Sequence, residues 1–250
     1  MSDALMVQDL TVSLGGREIL ANVGFSLQGG ALAALVGPNG SGKSTLLATL
    51  AGLHRPARGE VLIQGLSVFD QTQEARRRLG YMVAQDQLPG LLTPRQCLAL
   101  FAESRGLDRI PDDTWSQAEA LRLDQWLDTW LSECSLGTRQ KVSVLLALLD
   151  SPPLILLDEP LNGLDPISAL ALKDELTRLT SEEGCTVLMA SHDLSSIEAL
   201  NNHILVLLDG RVVLDWDEDG MARAVGDGAG NGDANRTLES LVVAAMGRVD

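Results

Sequence analysis

The sequence predicts an α/β protein: a mostly parallel sheet covered by helices, with a small antiparallel β element ahead of it and a helical insertion within it. Three observations carry that prediction. Residues 31–36, 154–157 and 186–190 are apolar on both faces, as strands of a parallel sheet buried between helices must be. Helical patterns at 44–51, 142–149 and 167–180 fall between or beside those strands. The glycine-rich stretch from Gly37 to Gly42 ties the first strand directly to the first helix.

Composition sets the outer bounds. At 250 residues the chain can bury a core without help from disulfides or metals. Hydrophobic residues make up 45% and charged residues 21%, which excludes a disordered or fibrous chain. Aromatic residues reach only 3%, so Leu, Val, Ile and Ala must build the core. The formal net charge of −15 argues against a partner gripped through its phosphate backbone, and no nucleic acid is expected. Arg76, Arg77 and Arg78 form the single basic cluster worth noting. Cys97, Cys134 and Cys185 are odd in number and contain no CxxC pair, so neither a zinc site nor a disulfide framework is indicated. No run approaches the roughly 20 apolar residues of a membrane helix, and the N-terminus lacks a basic-then-apolar leader. A chain in the cytoplasm is expected.

The remaining elements follow in order. Residues 1–30 read as the antiparallel β element, and 61–63 and 80–83 as further strands. Thr93-Pro94-Arg95-Gln96 carries a capping-box pair with proline at the first helical position, and Gly106 should end that helix. Residues 117–130 read as another helix with Trp126 and Trp130 on one face. The span from about 88 to 135 is the helical insertion. Residues 204–208 run into Asp209-Gly210, a hairpin signal, and then 212–214. A domain over 1–225 would then give way to a Gly/Asp-rich linker and a short C-terminal helix over 226–250.

Chemistry enters at Gly37-Pro38-Asn39-Gly40-Ser41-Gly42-Lys43-Ser44-Thr45, which matches G-x-x-x-x-G-K-[ST] between a strand and a helix. The glycines let backbone N–H groups turn inward around phosphates, and the helix N-terminus adds partial positive charge. Lys43 would reach the β- and γ-phosphates and the Ser44 hydroxyl would ligate Mg²⁺. The chain therefore reads as a P-loop NTPase with a RecA-like sheet. A second acidic element, Asp158-Glu159-Pro160, closes the strand 154–157. Asp158 would hold Mg²⁺ and Glu159 would polarise the attacking water as general base. That strand should lie beside the phosphate-loop strand. The Asn-Lys-x-Asp of guanine-specific GTPases is missing, and a nucleoside triphosphate is the expected ligand.

Between these two elements, Ser135-Leu136-Gly137-Thr138-Arg139-Gln140-Lys141 opens an apolar helix. With it, residues 5–216 resemble the nucleotide-binding subunit of an ATP-binding cassette (ABC) transporter. The Ser-x-Gly-x-Arg-Gln-Lys form is similar to the subset paired with ABC-2-type exporter permeases. The resemblance implies that Ser135, Gly137, Thr138 and Gln140 form a signature acting on ATP held by the other subunit. It implies that Gln85 senses Mg²⁺ and water, that His192 contacts the γ-phosphate, and that Asp165 belongs to a loop communicating across a dimer. Asp165 also reads as a plain N-cap before Pro166. Leu14 takes the place of the aromatic that stacks on adenine in the family. His54 and His203 read as structural.

On this resemblance the chain is the ATPase subunit of a transporter, with ATP and Mg²⁺ as cofactors. It would pair as a homodimer or with a paralogous subunit, and act on a separate integral membrane permease from the cytoplasmic face of the cell membrane. A groove beside Gln85, lined by Leu88, Leu91, Leu92, Leu98 and Phe101, would receive the permease. The competing reading is a soluble ABC-type ATPase that remodels a complex such as an iron–sulfur cluster assembly scaffold. The exporter-like signature favours transport.

Overall fold

The computed structural model describes residues 3–192 and 202–226. Asp193, the linker and the expected C-terminal helix lie outside the described residues. The chain runs β1 (Asp3–Leu14), β2 (Arg17–Gln28), β3 (Leu32–Val36), α1 (Lys43–Leu50), β4 (Arg58–Ile63), β5 (Leu66–Ser67), α2 (Thr72–Arg77) and β6 (Leu79–Tyr81). The insertion follows with α3 (Pro94–Ser104) and α4 (Asp112–Ala120). Then come α5 (Leu136–Leu148), β7 (Leu154–Asp158), α6 (Pro166–Ser181), β8 (Thr186–Ser191), β9 (His203–Leu208), β10 (Arg211–Asp217) and α7 (Glu218–Gly226).

Two sheets form. The antiparallel one has the order β2-β1-β4-β5, so the N-terminal element recruits residues 58–67 beyond the expected 1–30. The other has the order β10-β9-β3-β8-β7-β6 and is parallel from β9 to β6. One expectation fails here: β7 does not lie beside β3, because β8 sits between them. Strand order comes from long-range pairing, which the local apolar pattern does not encode.

The period-two alternation of the parallel strands splits the core in two. Leu32, Ala34, Val36, Ile155, Leu157, Val187 and Met189 face α5, α6 and the insertion. Ala33, Leu35, Leu154, Leu156, Leu188 and Ala190 face α1 and the antiparallel sheet. All of these side chains are buried, which accounts for strands that are apolar on both faces. The hairpin signal also has its structural counterpart, since Asp209 and Gly210 take φ values of 44° and 74° between β9 and β10.

The insertion is only partly as expected. Thr93 caps α3 reciprocally: Gln96 N donates to its hydroxyl at 3.3 Å, and Thr93 N donates to Gln96 Oε1 at 2.9 Å. Thr93→Ala should lower unfolding stability by about 1 kcal/mol, measured as a shift in denaturant midpoint. The helix expected over 117–130 does not exist. Instead α4 ends at Ala120, Arg122 adopts φ 58°, and a single 3₁₀ turn spans Asp124–Trp126. Leu123, Leu127 and Leu131 are buried at helical spacing, yet they reach the core from turns. Trp126 and Trp130, at 37% and 55% exposure, pair on no helix face.

Candidate nucleotide site

The phosphate loop leaves the C-terminal end of β3, the edge of a parallel sheet at which ligands gather. Its curvature depends on glycine. Gly40 and Gly42 take φ of 84° and 106°, and a Cβ on Gly37 would collide with the carbonyl of Leu207. Lys43 is buried and folds back, donating from Nζ to the carbonyls of Gly37 at 2.7 Å and Pro38 at 3.2 Å. Burial lowers its pKa, while the nearby charges of Glu159 and Asp158 oppose that shift. Ser41 Oγ is buried without a partner.

A cleft of about 750 Å³ opens in front of this loop. Asn39, Gly40, Gly42, Lys43, Ser44 and Thr45 form one wall, and Gln85, Asp158 and Glu159 another. Burial pushes the Asp158 carboxyl above its ordinary range. Ser44 and Lys43 pull it down, and Glu159 adds to the rise. A half-buried carboxylate beside a serine hydroxyl is a hard-oxygen pair of the type Mg²⁺ takes together with phosphate oxygens. Among the described residues no cluster of three His, Cys, Asp or Glu could hold a metal by itself. The lysine, the inward loop and the orphaned Ser41 hydroxyl fit a polyphosphate.

Glu159 sits just past β7 in a left-handed conformation, φ 48°. His192, at the end of β8, faces its carboxylate with Nδ1···Oε1 at 2.8 Å, and Asn162 donates to Oε2 at 3.3 Å. Sequence reasoning passed over Asn162, whose only signal was its place three residues after Glu159. Asp165 caps α6 by accepting from Ser168 N at 3.0 Å and binds Lys141 at 2.7 Å. Those bonds, with Lys141 foremost, hold its carboxyl well below the usual carboxylate range. The loop Asp165 closes thus lies against α5, where a Cβ on Gly137 would come within 2.6 Å of the Gly163 carbonyl.

The signature residues divide. Ser135 is exposed at the α5 N-cap and accepts from Thr138 N at 3.1 Å, and Gly137 is half-buried. Thr138 and Gln140 are buried, at 7% and 6% exposure, and Gln140 also borders the cleft.

Leu14, the expected contact to the base, stands at the rim of the first hairpin. It ends β1 at 38% exposure outside the cleft wall, where Ile19 of β2 stands instead. Ile19→Ala should weaken nucleotide binding more than Leu14→Ala, as measured by titration with a fluorescent ATP analogue.

The expected docking groove also takes another form. Leu88 and Leu98 belong to the core, and Leu92 packs against it. Leu91 is 82% exposed on a loop. Of the expected set, Phe101 alone lines the second cleft, about 540 Å³, between the core and the insertion.

Residues 20–162 match the family model described as ABC transporter. The chain belongs to the ABC transporter ATP-binding family. SrtF, a lantibiotic transport ATP-binding protein of Streptococcus pyogenes, is 31% identical over 216 residues, 86% of this chain and 92% of its own. ZnuC, a zinc import ATP-binding protein of Pseudomonas putida, is 34% identical over 208 residues, 83% of this chain and 76% of its own. The ATP binding subunit of an ABC transporter superimposes with a TM-score of 0.85 at 29% identity, covering 97% of this chain and 99% of that one. The dimeric cassette MJ0796, solved in a post-hydrolysis state with ADP and Pi, gives 0.75 at 27% identity over 86% and 98%. This ABC cassette is therefore an ATPase that binds and hydrolyses ATP. Subunits of its kind dimerise and work with membrane permeases. No helix among its described residues is long and apolar enough to cross a membrane.

Proposed function

We propose that this cassette drives export of a substrate through a separate integral membrane permease, acting peripherally at the cytoplasmic face of the cell membrane. A second copy, or a paralogous cassette, completes each ATP site, and Mg²⁺ is held by Ser44 and Asp158 together with the nucleotide. One observation carries this reading. Phosphate loop, Asp158 and Glu159 share one cleft; Leu136 borders it, while Ser135 at the same helix N-terminus is exposed and does not line it. Such an N-terminus attracts an anion. The γ-phosphate of a facing subunit supplies it.

Within each composite site the roles divide by chemistry. Lys43 and the loop N–H groups hold the β- and γ-phosphates. Glu159 takes a proton from the attacking water, with its orientation fixed by His192 and Asn162. The exporter direction rests on the Ser135-x-Gly137-x-Arg139-Gln140-Lys141 form. The name of SrtF points to lantibiotic transport, and that of ZnuC to zinc import. The permease contact is assigned to the second cleft, where Leu53, Tyr81, Val83 and Phe101 lie near Arg76 and Arg77. An apolar cytoplasmic segment carrying an acidic residue suits that lining.

Mixing Lys43→Ala subunits with Ser135→Arg subunits tests the composite site. Each variant alone should be inactive, and the mixture should recover activity because each mixed dimer retains one intact site. Absence of recovery, under conditions where labelled subunits demonstrably exchange, sinks the reading.

A further inference from the structure

Glu159 holds a left-handed φ of 48°, a conformation that costs a non-glycine residue energy and persists only where neighbours enforce it. The enforcing contacts can be named. Glu159 N donates to the Ala190 carbonyl at 3.0 Å, anchoring it to β8. Asn162 N donates back to the Glu159 carbonyl at 3.1 Å. The same carbonyl accepts a second bond, at 2.9 Å, from the Nε2 of Gln140. Gln140 is only 6% exposed, and its oxygen facing a carbonyl would be repulsive, so the amide group must be the one turned inward.

Gln140 is therefore the place where the α5 helix touches the backbone of the water-activating residue. Ser135 and Gly137, the groups offered to the partner's nucleotide, lie on the same opening turns of that helix. Five residues of helix separate Ser135 from Gln140, about 7.5 Å along the axis. Lys141, bonded to Asp165, and Gly137, against the Gly163 carbonyl, fix those turns to the loop after Glu159.

We propose that Gln140 is a positioning residue for the Glu159 of its own subunit: its amide ties the backbone of the water-activating residue to the start of α5. This rests on the composite-site reading above, in which each Glu159 works opposite the Ser135 and Gly137 of the partner.

Mixed dimers decide which site Gln140 serves. Gln140→Met keeps length and burial but removes the donor. In the first cross, a Gln140→Met subunit is paired with a Lys43→Ala subunit, so the surviving site uses the Glu159 beside the altered residue. In the second, one subunit carries both Gln140→Met and Lys43→Ala and its partner is unaltered, so the surviving site uses only the signature of the altered chain. The control pairs Lys43→Ala with the unaltered chain. Turnover in the first cross should fall roughly tenfold to a hundredfold below the control, the scale of a misplaced catalytic group, with the KM for ATP unchanged. Turnover in the second should equal the control. The reverse pattern would show that Gln140 acts on the partner's nucleotide, and equal slowing of both crosses would reduce it to a general packing residue. Either outcome overturns the proposal. A silent control instead overturns the composite site on which it rests. Dimer formation and the melting temperature of Gln140→Met, measured alongside, separate loss of positioning from loss of fold.

Discussion

Glu159→Gln should leave ATP binding intact and reduce steady-state hydrolysis by roughly a hundredfold to ten-thousandfold, the usual contribution of a positioned general base. The amide has nearly the shape of the carboxylate and can still face His192 and Asn162, so the site should keep its geometry and lose only its capacity to accept a proton. A stalled reaction leaves ATP in place, and the variant should therefore elute as an ATP-loaded dimer where the unaltered chain returns to monomer. Phosphate release and size-exclusion chromatography, run on the same preparation, measure both. Hydrolysis near the normal rate would remove Glu159 from its role.

Gly80→Ala should produce the largest loss of stability of any single methyl added to the sheet. A Cβ at that position would drive into the carbonyl of Ala147 and approach the Pro152 ring at 2.8 Å. The backbone of Ala147 belongs to the end of α5 and cannot turn aside as a side chain could. Overpacking of this kind costs about 1–3 kcal/mol. For a chain of this size that is a fall of roughly 2–4 °C in melting temperature per kcal/mol. An unchanged melting temperature would mean that α5 is free to retreat from β6.

The parts legible in the sequence were those whose chemistry is local. Lys43 and the loop glycines announce a phosphate site through spacing alone, and Thr93 with Gln96 announces a helix start, because four or five neighbouring residues contain the whole interaction. Asp158 was placed on the right strand but beside the wrong neighbour, since β8 enters the sheet from farther along the chain. The helix expected over 117–130 rests on the helical spacing of Trp126 and Trp130, and that spacing does not show that Arg122 turns the backbone left-handed. Gln140 could not be oriented from sequence either. The α5 helix is buried on most of its circumference, so no polar face marks which way the amide points. Leu14 and Ile19 both lie near the first hairpin. Which of them borders the cleft depends on the pleat and on an irregular β1–β2 register.

One feature of the larger sheet bears on how the chain is made. The strand that carries the phosphate loop has no early neighbour: β3 pairs only with β8 and β9, Leu32 aligning with Val187 and Ala33 with His203. On the ribosome, the antiparallel sheet can close once residue 67 has emerged, because β1, β2, β4 and β5 pair among themselves. The apolar strand 32–36 must wait for more than 150 further residues of synthesis before it finds a partner. Until then its exposed edge is a template for mispairing, the hazard of slow, non-local parallel topologies. Nascent chains halted before β8 should accordingly be unable to retain ATP, and they are the stage of biogenesis at which a chaperone has the most to protect.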